Sequence, residues 1–112
     1  MRRQSASALL RVPVLTRGIR LGEVESVLLD AEEPRILGLE VHCGDGARRF
    51  LPFATARREE HGIEIDSTFT LLDSRELAFY RAHSRPLASV PELAHARIEA
   101  DGALVVPLSA QR

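Results

Sequence analysis

The sequence predicts a mainly β protein, a small barrel of about six short antiparallel strands followed by one short helix and a C-terminal hairpin. Two observations support this fold class. Short apolar runs separated by glycine, proline and aspartate recur along the first part of the chain, as in a meander or barrel. After Asp73 the apolar residues follow a helical spacing instead, and an Asp-Gly turn dipeptide comes later.

The first strand is predicted over residues 9–15. Pro13 places it at a sheet edge or at the start of the strand, because proline donates no ladder hydrogen bond. Arg17 and Gly18 then form a turn into a second strand over residues 21–30.

The second strand contains an irregularity in its apolar pattern. Val24, Val27 and Leu29 cannot share one face of a strand in which side chains strictly alternate. One extra residue near Glu25 and Ser26 would bring all three to the same face. We therefore predict a β-bulge there, which is how small barrels bend their strands.

Four further strands complete the predicted barrel, over residues 36–43, 48–53, 54–60 and 62–66. In the first of these, four apolar residues alternate with small or polar ones: Leu37, Leu39, Val41 and Cys43. Gly44 and Gly46 indicate a tight hairpin before the next strand. Most of the few aromatic residues are expected to belong to the core.

A helix is predicted to begin after Asp73. Asp73 has the N-cap position, and Glu76 follows at the spacing of a capping box. Leu77 and Tyr80 fall on one helical face, which we expect to cover an open end of the barrel. The helix should end near His83, ahead of a proline.

The domain organisation predicted from these elements has three parts. Residues 1–8 form a flexible tail, residues 9–72 the barrel domain, and residues 73–112 a C-terminal helix and hairpin packed on the barrel. The hairpin is predicted over residues 94–107, around the Asp-Gly dipeptide at positions 101 and 102.

The composition is that of one soluble globular domain. The chain has 112 residues, of which 45% are hydrophobic and 28% charged, enough for one core and too apolar for a wholly disordered chain. All 15 basic residues are arginine and 16 residues are acidic, which gives a formal net charge of -1. This balance argues against a sequence-independent nucleic-acid binder.

The compartment is inferred from the cysteine count and the apolar runs. Cys43 is the only cysteine, so no intramolecular disulfide can form. The N-terminal apolar run is interrupted at Arg11 and Pro13, before it reaches the length of a secretory core. No run reaches the roughly 20 apolar residues of a membrane span. We therefore expect a cytoplasmic protein without a membrane span.

The pattern of glycines and apolar positions supports a family resemblance. Its positions are Val12, Val14, Gly18, Leu21, Gly22, Val24, Val27, Asp30, Ile36 to Val41, Leu51, Pro52, Phe53, Gly62, Ile63 and Ile65. In this pattern residues 9–72 resemble the PRC-barrel family, which includes the cytoplasmic domain of the photosynthetic reaction-centre H subunit and the C-terminal domain of the ribosome maturation factor. The resemblance implies a stand-alone barrel used for protein association, with no family-wide catalytic residue.

No catalytic, metal or cofactor site is predicted. His42, Cys43 and Asp45 are close in sequence, but His42 and Cys43 point to opposite faces of a strand. No CxxC or HxxxH pair completes a tetrahedral metal site. The sequence also lacks a GxSxG nucleophile motif. We therefore expect neither an enzyme nor a bound cofactor.

Two arginine pairs are the candidate partner-binding residues: Arg48 with Arg49, and Arg57 with Arg58. Together they could form one basic patch, since guanidinium groups bind carboxylates and phosphates bidentately. Acidic residues follow the second pair, so a mixed-charge solvated surface is the competing interpretation.

We interpret the chain as a non-catalytic PRC-barrel-like module for protein interaction. Its protein partner is unidentified, and self-association into a homodimer would cover the edge strands that a small open barrel leaves. Two alternatives stay open. One is a ribosome- or RNA-associated factor that acts through the arginine patch, and the other is a small-ligand-binding barrel.

Overall fold

The architecture is an open, barrel-like β-sheet with a separate two-stranded hairpin, and it confirms the predicted fold class. The computed structural model describes residues 5–106. Its sheet contains β1 (Pro13–Thr16), β2 (Ile19–Asp30), β3 (Ile36–Cys43), β4 (Arg48–Pro52), β5 (Arg57–Glu59), β6 (Gly62–Glu64) and β7 (Ser84–Pro86). The hairpin consists of β8 (Arg97–Ile98) and β9 (Leu104–Val105), and the helix α1 spans Ser74–Ala82. Single 3-10 turns lie at Ala6–Leu9, Phe53–Thr55, Thr68–Thr70, Leu87–Ser89 and Pro91–Leu93.

The strands are ordered β4-β3-β2-β1-β6-β5, and β7 pairs with the C-terminal end of β2. The pairings are antiparallel except between β1 and β6, where Val14 lies opposite Ile63 in parallel register. The expectation of antiparallel strands throughout is corrected at this pair. A parallel pair needs a long connection, and the four strands between β1 and β6 supply it.

The predicted bulge in β2 is confirmed. The register between β2 and β3 shifts between Val24 and Ser26, so Glu25 is the extra residue. As a result Val24, Val27 and Leu29 all lie in the same buried cluster. The bulge therefore bends β2 around the core, as the apolar pattern required.

Residues 6–8 are ordered in a packed turn, in contrast to the flexible tail expected for residues 1–8. Ala6–Leu9 form a 3-10 turn in which Ala6 and Leu9 are fully buried. The amide of Ala6 donates to the carbonyl of Ala96 at 3.0 Å. Because this turn takes up Leu9, β1 begins at Pro13 rather than at residue 9. Residues 1–4 lie outside the described residues.

The C-terminal segment shares one core with the barrel strands. Six of its residues belong to the same buried cluster as Val24 and Leu39: Leu87, Val90, Leu93, Ala96, Ile98 and Leu104. The predicted hairpin forms as β8 and β9, with Gly102 at a φ of +93° in the turn. The Gly102 carbonyl accepts from the amide of Ile36 at 2.9 Å, which ties the turn to the start of β3.

Helix α1 packs on the outer face of the sheet. The prediction that it covers an open barrel end is wrong, because Leu28 and Phe50 form an apolar patch on the outer face that receives Leu77. The ring of Tyr80 stacks on Phe50 with the centroids 4.0 Å apart. The predicted N-cap is confirmed: Asp73 accepts hydrogen bonds from the amides of residues 75 and 76. Over residues 5–106, no helix is both long enough and apolar enough to cross a membrane.

Candidate functional site

A surface groove of about 500 Å³ opens at one end of the barrel, and we call it the barrel-end groove. It lies between the start of β2, the β3–β4 turn and the 3-10 turn Thr68–Thr70. The lining side chains used below are Arg20, Leu21, Asp45, Arg49, Phe69 and Leu71. Leu21 and Leu71 pack from the groove against the main core, so they form an apolar floor.

Phe69 is the most exposed large apolar side chain among the described residues, with 92% of its surface accessible to solvent. Its backbone is nevertheless held in place. The Ser67 hydroxyl accepts from the Phe69 amide at 3.1 Å, and the Ser67 carbonyl accepts from the Thr70 amide at 3.0 Å. An ordered turn thus presents a phenyl ring to solvent beside the groove.

Sequence reasoning missed Phe69 because it assigned most aromatic residues to the core. That assignment holds for Phe50 and Phe53, which are buried, whereas Phe69 and Phe79 are exposed. A usable signal was present: Phe69 stands between Thr68 and Thr70, with no apolar neighbour in the turn.

The groove wall carries a fixed ion pair. The guanidinium of Arg49 donates to both carboxylate oxygens of Asp45, at 3.1 and 3.0 Å. Asp45 also accepts from the amide of Ala47 at 3.0 Å. The Arg49 hydrogen bonds, assisted by the Ala47 amide, lower the pKa of Asp45 to about 2. Arg20, the second guanidinium of the wall, donates to the carboxylate of Glu23 at 3.0 Å, so each of these two arginines is paired with a carboxylate of the chain.

The first predicted arginine pair is divided between the two faces of β4. Arg48 lies on the outer face and binds Glu25 bidentately, at 2.5 and 3.1 Å. Arg49 binds Asp45 in the barrel-end groove. Consecutive strand residues point to opposite sides of a sheet, which separates these two guanidinium groups.

The second arginine pair lies on β5 and is divided in the same way. Arg57 forms an ion pair with Asp66. Arg58 extends over the ring of Phe53, with its guanidinium carbon 5.5 Å from the ring centroid. Each of the four predicted arginines therefore contacts a different residue, and they do not form one basic patch. Of the four, Arg49 lines the groove.

The residues weighed as metal ligands are also separated. Cys43 is buried and its thiol lies 3.9 Å from the carbonyl of Val41, whereas His42 is exposed on the other face of β3. Within the described part of the chain, no three His, Cys, Asp or Glu side chains are placed to hold a metal ion.

A second polar cluster lies on the outer face, under α1. Glu40 on β3 is buried, and its carboxylate accepts two hydrogen bonds from Arg81 of the helix. Glu25 and Arg48 lie beside this pair and interact with it electrostatically. This cluster fixes the helix on the sheet. The alternation along β3 places Glu40 on the face opposite Leu39 and Val41, but the sequence alone does not identify its helical partner.

The sequence model of the PRC-barrel domain matches residues 1–72, which contain β1 to β6 and the barrel-end groove. This family is generally non-catalytic. No curated protein sequence matches the chain significantly. Helix α1 and the C-terminal hairpin lie beyond the matched residues. Because the match covers more than half of the 112 residues and agrees with the open, bulged barrel, the chain belongs to the PRC-barrel family.

Proposed function

We propose that this chain is a non-catalytic protein-interaction module that binds a partner protein through the barrel-end groove and Phe69. The observation that supports this function is the 92% exposure of Phe69 on an ordered turn beside an apolar floor. Full burial of a phenylalanine side chain contributes about 1.5–3 kcal/mol. Aromatic anchors next to a pocket are typical of the residues that dominate protein interfaces.

The setting of the arginines favours a protein partner over RNA. Arg48, Arg49 and Arg57 each bind a carboxylate of this chain. A phosphate would have to displace those carboxylates before it could be bound. RNA binding draws much of its affinity from unpaired basic groups, so this surface suits it poorly.

The packing of the core favours a protein partner over a small ligand inside the barrel. Val24, Leu39, Val41 and Leu51 are fully buried and fill the interior with other apolar side chains. A barrel that holds a ligand needs an interior cavity instead. The space offered by the groove is open to solvent at the surface, as a protein interface requires.

The proposal is tested by capturing partners with the tagged full-length chain in its native cells. Phe69→Asp should remove the proteins that the wild-type chain captures. Phe79→Asp is the matched control, because Phe79 is also an exposed phenylalanine, at 55%, but lies on α1 away from the groove lining. Thermal unfolding verifies that both variants are folded. Capture of the same proteins by wild type and Phe69→Asp would contradict the proposed function.

A further inference from the structure

We infer that helix α1 is a hinged cover: residues 73–83 lift from the outer face of the sheet and unwind while the barrel and the C-terminal hairpin stay folded. The inference concerns the outer face and does not depend on the function proposed for the barrel-end groove. Three features of the described residues support it: the small buried cluster under the helix, the fixed points on either side of it, and the buried carboxylate beneath it.

The helix belongs to a different buried cluster from the rest of the fold. Of its nine residues only Leu77 is buried, and it packs with Leu28 and Phe50 on the outer face. The main cluster joins the barrel strands to the C-terminal segment, and α1 contributes no residue to it. Because each buried apolar side chain adds to the free energy that holds a segment in place, α1 is held less firmly than the hairpin.

The chain is fixed to the sheet on both sides of the helix. Before α1, Leu72 and Phe50 exchange backbone hydrogen bonds of 2.8 and 2.9 Å. After α1, β7 pairs with the end of β2, and the Arg85 guanidinium donates to the carbonyl of Asp30 at 2.9 Å. The segment between these points can therefore lift while both ends stay attached. An isolated helix shorter than about 12–15 residues is marginal in water, so lifting also unwinds α1.

The ion pair beneath the helix holds it closed. Glu40 on β3 is buried under α1, and two hydrogen bonds from Arg81 satisfy its carboxylate. When the helix lifts, both charges return to water, so neither is left buried without its partner. The same motion uncovers Leu28 and Phe50. In the closed state α1 therefore blocks access to this apolar and acidic patch of the outer face.

Native-state hydrogen exchange of the full-length wild-type chain, followed by NMR at low urea concentrations, tests the opening. The amides of residues 77–83 should share one opening free energy, lower than that of the β2 and β3 amides. Their exchange should depend only weakly on urea, because the opening exposes little surface. The amide of Leu72 should keep the protection of the barrel strands.

Variants of the helix test what holds it closed. Arg81→Met should accelerate exchange of the α1 amides about thirtyfold, because its ion pair with Glu40 exists only in the closed state. Arg75→Met is the matched control, since Arg75 is an exposed arginine of the same helix that pairs with no carboxylate among residues 5–106. It should change this exchange by less than about twofold.

A variant of the main core separates the opening of α1 from unfolding of the whole chain. Leu104→Ala should accelerate exchange of the slowest barrel amides about thirtyfold or more, because Leu104 is buried in the main cluster. It should leave the α1 amides unchanged, since that cluster stays intact when the helix lifts. Ile98→Val, a smaller truncation in the same cluster, takes its place if Leu104→Ala does not fold.

Three outcomes would overturn the inference. The first is α1 amides that show the opening free energy and urea dependence of the barrel amides. The second is equal acceleration of α1 and barrel amides in the core variant. The third is a different opening free energy for each amide of residues 77–83, which would show fraying of single residues and not the lifting of one unit.

Discussion

Glu40 on β3 and Arg81 on α1 form a bidentate ion pair on the outer face of the sheet. Nε of Arg81 donates to Oε1 of Glu40 at 3.1 Å, and a second guanidinium nitrogen donates to Oε2. The two residues are 41 positions apart, and Glu40 is only 7% exposed. Together with the stacked rings of Phe50 and Tyr80, this pair determines where the helix lies on the barrel.

Removal of the arginine should therefore destabilise the fold. Arg81→Met leaves the Glu40 carboxylate buried without its partner, and we expect a loss of about 2 kcal/mol in the free energy of unfolding. This value is below the usual cost of breaking a buried pair, because half of the Arg81 side chain is exposed. Urea denaturation measures it. The double variant Glu40→Met/Arg81→Met should recover much of the loss. An Arg81→Met variant as stable as wild type would refute this role.

Gly38 should be intolerant of a side chain because the backbone is crowded there. A Cβ at Gly38 would overlap the ring of Phe50 and lie 2.5 Å from the carbonyl oxygen of Leu51. We expect Gly38→Ala to lower the free energy of unfolding by about 1–3 kcal/mol. Gly44→Ala is the matched control, since its Cβ would meet only the Leu21 carbonyl oxygen at 3.8 Å. Chemical denaturation that gives equal losses for the two variants would be inconsistent with the packing described.

The carboxyl of Asp45 should titrate at unusually low pH. Its pKa is about 2, mainly because Arg49 donates hydrogen bonds to it. The ionised carboxylate therefore stabilises the folded state at pH values above the ordinary pKa of 3.8. This contribution to the free energy of unfolding declines as the pH falls from 3.8 toward 2. Carboxyl chemical shifts measured by NMR should show this midpoint. In Arg49→Met the midpoint should rise toward 3.8 but stay below it, because the Ala47 amide still donates. A wild-type midpoint at 3.8 would exclude the ion pair in solution.

The C-terminal hairpin should contribute to the stability of the whole barrel. Leu104 on β9 is buried in the main core, whereas its neighbour Val105 is exposed. We expect Leu104→Ala to lower the free energy of unfolding by about 2–4 kcal/mol in a single transition. Val105→Ala should change it by less than about 0.5 kcal/mol. If Leu104→Ala instead left the main transition unchanged, the hairpin would be a separate unit.

The elements that the sequence predicts well are those that depend on neighbouring residues. The bulge at Glu25 follows from the spacing of Val24 and Val27, and the helix start at Asp73 follows from its capping side chain. The parallel pairing of β1 with β6 joins residues far apart in the sequence, so no local pattern reports it. The position of α1 depends on the outer-face patch that contains Phe50. The sequence alone assigns Phe50 to the core of the barrel.

The candidate site was less accessible to sequence reasoning. The arginine pairs drew attention by their charge, but strand alternation separates Arg48 from Arg49, and carboxylates of this chain bind both of them. The exposure of Phe69 follows only from the structure, because an isolated phenylalanine in a sequence is usually a core residue. The relation of Phe69 to the groove also depends on the β3–β4 turn, which is distant from it in sequence.

Site-specific photo-crosslinking in native cells tests the interaction surface most directly. A photoreactive phenylalanine analogue replaces Phe69 in one version of the full-length chain and Phe79 in another. We predict that the analogue at position 69 forms discrete covalent adducts with protein, either another protein or a second copy, and that the analogue at position 79 does not. Position 69 yielding no more adducts than position 79 would contradict a protein-binding role for the barrel-end groove.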